Sequence, residues 1–114
     1  MLNKKPDVLA ALESIEGIKG GVFAARPKKL SKMPCISFYE INNSPAVFAD
    51  DTEYLTEVNF VIDVWANTDE ELERITAEVN RAMTGINFTR EFSRDMQEAS
   101  DIRRKTTRYM YMGG

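Results

Sequence analysis

The sequence predicts an α+β domain, an antiparallel β-sheet with two helices packed on one face, in the element order α-β-β-β-α-β-β. Two stretches carry apolar residues at helical spacing, and several short segments between and after them alternate like strands. A chain of 114 residues, 43% hydrophobic and 29% charged, has the composition of one ordered core and is too short for two. The expected organisation is a single domain over 1–114 with a long loop at about 43–55.

The first helix is expected from Pro6 to Glu16, with Val8, Leu9, Leu12 and Ile15 at helical spacing, Pro6 in the first turn and Gly17 as its stop. Val22-Phe23-Ala24-Ala25 follows Gly20-Gly21 as a short apolar strand ending at Arg26-Pro27. A basic connection, Lys28 to Pro34, leads to a second strand from Cys35 to Ile41, broken by Asn42-Asn43-Ser44-Pro45. No period returns until Thr56, so Asn43 to Leu55 reads as a loop, and loops of that length tend to be functional.

Thr56 to Ala66 is the strongest strand. Val58, Phe60, Ile62 and Val64 form its core face, while Asn59, Val61, Asp63 and Trp65 form a second, only partly polar face that suits cover by a loop or another subunit. Thr68 and Glu71 have capping-box spacing ahead of a helix with Leu72, Ile75, Val79, Ala82 and Met83 as its apolar stripe, and Gly85 is placed to end it. Phe88 to Gln97 fits a strand, Ser100-Asp101 a turn, and Lys105 to Met112 a closing strand with Tyr109 and Tyr111 on one face and Arg108, Met110 and Met112 on the other.

The chain has no histidine, which removes the commonest general base and transition-metal ligand, and no glycine-rich loop opens a helix to cradle phosphate. Neither a catalytic residue nor a cofactor or metal site is expected. Cys35, the only cysteine, reads as a buried, inert thiol. Asp50, Asp51 and Glu53 lack the spacing of a calcium loop and read as solvated. The Arg103-Arg104-Lys105 run with Arg108, Tyr109 and Tyr111 fits a nucleic-acid surface in type, but the acidic pI near 5.0 favours edge protection or an acidic neighbour. No apolar run has the length of a membrane span, and the start lacks the apolar stretch of a signal peptide, so a reduced cytosolic setting is expected.

Charge is unevenly placed. Residues 1–41 hold seven Lys/Arg against four Asp/Glu, 42–87 two against ten, and 88–114 six against four, for nets of +3, −8 and +2. Folding can mix such blocks into an ordinary solvated surface, or subunits that meet through unlike faces can use them for register.

The order of elements, with Val8-Leu9-Ala10-Ala11-Leu12, Gly21-Val22-Phe23, Met33-Pro34-Cys35-Ile36, Val61-Ile62-Asp63-Val64-Trp65-Ala66 and Arg104-Lys105-Thr106-Thr107-Arg108-Tyr109, resembles the head–tail connector family of bacteriophages and prophages, the tail completion, tail terminator or tail-to-head joining proteins. The resemblance covers nearly the whole chain. It implies a non-enzymatic structural subunit, assembled in the host bacterial cytoplasm, that forms a hexameric ring at the virion head–tail junction. Its implied partners are itself, the tail-tube protein and the head connector proteins, with no membrane and no sequence-specific nucleic acid. The residues assigned to subunit or partner contact are Val47, Phe48, Asp50, Asp51, Tyr54, Trp65, Arg104 and Arg108. The other functional class left open is a small adaptor or regulatory module that binds protein or nucleic acid.

Overall fold

Strict alternation in the middle of the chain organises the structure. In the computed structural model, which describes residues 2–25, 32–47, 54–99 and 101–113, the elements are α1 (Lys5–Glu13), β1 (Val22–Ala24), β2 (Cys35–Val47), β3 (Tyr54–Ala66), α2 (Asp69–Gly85), β4 (Thr89–Met96) and β5 (Arg103–Gly113). The strands form one sheet in the order β1-β2-β3-β5-β4, so the predicted α+β class and element order hold.

Val58, Phe60, Ile62 and Val64 of β3 are buried beneath the helices with Ile36 and Phe38 of β2 and Tyr109 of β5. From α1 come Val8 and Leu12, followed by Ile15 just past its end, and from α2 come Leu72, Ile75, Val79 and Met83. The rings of Phe38 and Phe60 lie 6.2 Å apart, and Phe88 meets Phe60 edge-on at 5.8 Å. The Tyr109 hydroxyl reaches across to Asn80 of α2 and donates to its Oδ1 at 3.2 Å.

Thr68 caps α2 as expected, its hydroxyl accepting from the Glu71 amide at 3.2 Å, and Asp69, Glu70 and Glu71 fill the first turn where the helix dipole favours anions. The helix ends at Gly85 as expected, but the left-handed position past its end falls at Asn87, with φ 70°. The Phe88 amide then donates to the Met83 carbonyl at 3.0 Å and the Asn87 amide to that of Thr84 at 3.0 Å, a Schellman closure that drops Phe88 into the core.

Two further expectations are corrected. The loop expected over 43–55 is in part strand: residues 43–47 and 54–55 belong to β2 and β3 and pair in the register Asn43↔Val58 through Val47↔Tyr54. Asn42, Asn43 and Ser44 disfavour strands in isolation, but pairing with β3 overrides that preference, and Pro45 is tolerated because β1 pairs with β2 only at 36–38, leaving this stretch an edge. The remaining residues of the expected loop, 48–53, lie outside the described residues. The sheet is also not wholly antiparallel, since β1 runs parallel to β2. The ten residues between β1 and β2 exceed a hairpin turn and allow the chain to return to the same end of the sheet. Gly20 fits that return tightly: its amide donates to the Pro34 carbonyl at 2.8 Å, and a Cβ there would lie 2.2 Å from the Lys32 carbonyl oxygen.

Since Ile75 is fully buried in the α2 stripe, Ile75→Ala should lower stability by about 2–5 kcal/mol in urea unfolding. A loss below about 0.5 kcal/mol would show that the stripe is not core.

Candidate subunit interface

Both helices contribute to the core on one side of the sheet, and among the described residues no helix lies over the other. The strand registers order that second face into rows. Cys35–Trp65–Arg104–Met96 is followed by Ser37–Asp63–Thr106–Arg94, then Tyr39–Val61–Arg108–Phe92, then Asn42–Asn59–Met110–Thr89. Ser44, Glu57 and Met112 continue the pattern beyond β4.

The first rows are closed by long charged side chains. The Arg104 guanidinium stacks 4.8 Å from the Trp65 ring centroid, with Nε 2.8 Å from Glu98 Oε1 and Nη1 3.7 Å from Asp63 Oδ2. Its contact with Glu98 is ionic without hydrogen-bond geometry, and Asp63 Oδ1 is buried without a hydrogen-bond partner. The Trp65 indole N–H donates to Ser37 Oγ at 3.2 Å. Further along, Asn59 is buried by a chain of amides and carboxylate. Asn42 Nδ2 donates to Asn59 Oδ1 at 2.9 Å, and Asn59 Nδ2 donates to Glu91 Oε1 at 3.0 Å. The same Glu91 oxygen accepts from Arg108 Nε at 2.9 Å. Glu91 reaches this face from a bulge between Arg90 and Phe92 in β4.

Between these polar groups the face exposes large apolar side chains. Phe92 is 48% accessible, Tyr39 45% and Met112 41%, and Ile41, at the bulge of β2, is 40% accessible.

On the helix side, β5 is tied to α2 by charge. Arg103 Nε donates to Asp69 Oδ1 at 3.0 Å, and Lys105 Nζ meets Glu73 and lies 3.5 Å from Asp95 Oδ1. Burial disfavours the Lys105 ammonium, but hydrogen bonding and attraction from Glu73 and Asp95 outweigh it and raise its pKa. Burial alone pushes the Cys35 thiol up to about 11, and burial outweighs the nearby Arg90 in pushing the Tyr109 phenol up to about 12.

The sequence-assigned contact residues therefore separate. Arg108 sits among the exposed apolar side chains of the uncovered face. Arg104 lies on the same face but serves its own subunit by roofing Trp65, whose side chain is fully buried, so a partner would meet the guanidinium and not the indole. Val47 and Tyr54 pair with each other at the end of the β2–β3 ribbon. Phe48, Asp50 and Asp51 lie outside the described residues. Phe92, Tyr39 and Met112 were not singled out from sequence. The alternation of the last strand places Met112 on the face of Arg108, whereas the face of Phe92 follows only from its pairing with Arg108.

Among the described residues no group of three or more His, Cys, Asp or Glu is placed to hold a metal ion, and no helix is long and apolar enough to cross a membrane. Residues 6–111 match the family model described as tail completion protein gp17. A chain in the virion of a native gene transfer agent particle has the same fold, with a TM-score of 0.68 and 17% identity over 93% of this chain and 90% of that one. No curated protein matches the sequence.

Trp65 is the only tryptophan, so its emission reports on its roof. Arg104→Ala should red-shift that emission and cost about 1–3 kcal/mol, less than a fully buried pair because Arg104 and Glu98 keep some solvent contact. Unchanged emission would place the roof elsewhere. A second expectation concerns alkaline pH. The folded chain holds the Cys35 and Tyr109 protons to about 11 and about 12, against ordinary values of 9.0 and 10.0, so the unfolded chain releases them first. Stability should fall as pH rises above about 9, and Cys35→Ala should flatten the loss between about pH 9 and 11 in urea midpoints. An equally steep loss in that variant would rule out the thiol as a contributor.

Proposed function

The chain belongs to the tail completion protein gp17 family, and from that premise we propose that this structural phage protein is a ring-forming subunit at the head–tail junction, closing the tail tube and docking it to the head connector. The observation that carries this reading is the uncovered sheet face. A single layer of helices shields one side only, and on the other Tyr39, Phe92 and Met112 stand in the open beside a polar network. Exposed apolar groups gathered on one face, between charged groups that fix orientation, are what a subunit contact uses.

The junction assigns each part a task. The helix side supplies the rigid core, while the sheet face and the ribbon beyond it meet other chains. The protein acts by filling and sealing, with its partners being further copies of itself, the tail-tube protein and the head connector.

Native mass measurement across concentration, with and without purified tail tubes, tests this. A closed species near about 78 kDa, six chains of 13.0 kDa, is expected at high concentration or on the tube end. A chain that remains monomeric in both conditions, and leaves tube ends open by electron microscopy, would sink the reading.

A further inference from the structure

The sheet ends on β4, and among the described residues no strand pairs with its outer side. Strand order places β4 last, joined to β5 alone, so the outward N–H and C=O groups of Thr89–Met96 stand open. Every residue of β4 but Met96 is exposed, and none is proline. Such an edge is a template for a further strand unless its side chains forbid the pairing. The opposite edge is less open, since β1 has three residues and β2 beyond it carries Pro45, which has no N–H to give.

Charge along β4 is antisymmetric about Ser93. Glu91 and Arg90 lie on one side of it in the sequence, Arg94 and Asp95 on the other. The bulge between Arg90 and Phe92 makes the faces agree as well: Arg90, Ser93 and Asp95 share the helix side with Tyr109, Thr107 and Lys105, while Glu91, Phe92 and Arg94 share the other. Arg90 and Arg94 make no ion pair or hydrogen bond with the described residues. Glu91 engages Asn59 and Arg108 through Oε1 alone, and Asp95, whose side chain is 76% accessible, lies 3.5 Å from Lys105. Both carboxylates thus keep lone pairs for a further cation.

We propose that β4 pairs antiparallel with the β4 of a second copy across a two-fold axis through Ser93, joining two sheets into one. In this register Arg90 faces Asp95 of the second copy on the helix side, and Arg94 faces the bulged Glu91 and Phe92 on the other; symmetry makes each contact twice. Charge selects the register. An axis through the bulge sets Glu91 against its own copy, an axis through Arg94 sets that arginine against its own copy, and an axis between residues pairs opposite faces. The contact is isologous, so it closes at two chains and is no step of a six-fold ring. It belongs to the free subunit, whose open edge it caps before assembly.

Reciprocal charge reversal tests the pairing on the full chain, by sedimentation equilibrium and native mass. The unchanged protein should form a species of about 26 kDa, two chains of 13.0 kDa. Arg90→Asp alone and Asp95→Arg alone each set like charges together on both sides of the axis and should weaken the dimer about tenfold or more. Mixed one to one, the two variants should recover it as a heterodimer, and the double variant should recover it as a homodimer, which also shows that the substituted chains fold. Amides of Thr89–Met96 should exchange more slowly as protein concentration rises, while those of Val22–Ala24 stay unchanged. An unchanged protein that is monomeric at millimolar concentration, a dimer insensitive to both single variants, or a mixture that stays monomeric overturns the proposal. A six-chain species on tail tubes is compatible with any of these results, and its failure to form leaves the β4 dimer standing.

Discussion

The alternation of β3 is the constraint on which the rest depends. From Val58 to Val64 every second residue is apolar and fully or nearly fully buried under the helices. Because side chains in a strand alternate faces, this commits Asn59, Val61, Asp63 and Trp65 to the other side. A slip of one residue against β2 or β5 would place Asp63 and Asn59 in the apolar layer without their partners. Burial of an unpaired carboxylate or amide costs several kcal/mol, so the register is held from both faces at once.

That double constraint explains a face with buried polar residues and no helix over it. Asn59 tolerates full burial because Asn42 and Glu91 occupy its amide, and Glu91 is in turn bound to Arg108. Trp65 tolerates the uncovered side because Arg104 lies over its ring and Ser37 accepts its N–H. The same long side chains that shield these groups leave room between them for Tyr39, Phe92 and Met112 to stand exposed. Stability of the single chain and the exposure of these apolar groups thus come from one arrangement.

What sequence could and could not disclose follows from the range of each interaction. The capped start of α2 and the core face of β3 were legible because capping and alternation act within a few residues. Asn42 to Pro45 looked like a break because their preferences are local, whereas the pairing that makes them strand comes from residues up to 17 positions away, as between Asn42 and Asn59. The end of α2 at Gly85 was legible too, whereas the left-handed turn at Asn87 goes with the closure that brings Phe88 into the core. The burial of Trp65 depends on Arg104, a cross-strand neighbour that no period in the sequence couples to it. For the same reason the second face of β3 reads as half apolar from sequence, whereas its exposed neighbours Tyr39 and Phe92 emerge only from the pairing of β2 and β4.

The charge blocks acquire meaning once they are placed on this framework. Part of the asymmetry is used within the chain, where Arg103 and Lys105 of the basic end meet Asp69 and Glu73 of the acidic middle. That accounts for the acidic start of α2 and the basic start of β5. On the second face Arg104 is matched within the chain with Asp63 and Glu98, and Arg108 with Glu91, so charge there holds the polar side chains in place over the strands.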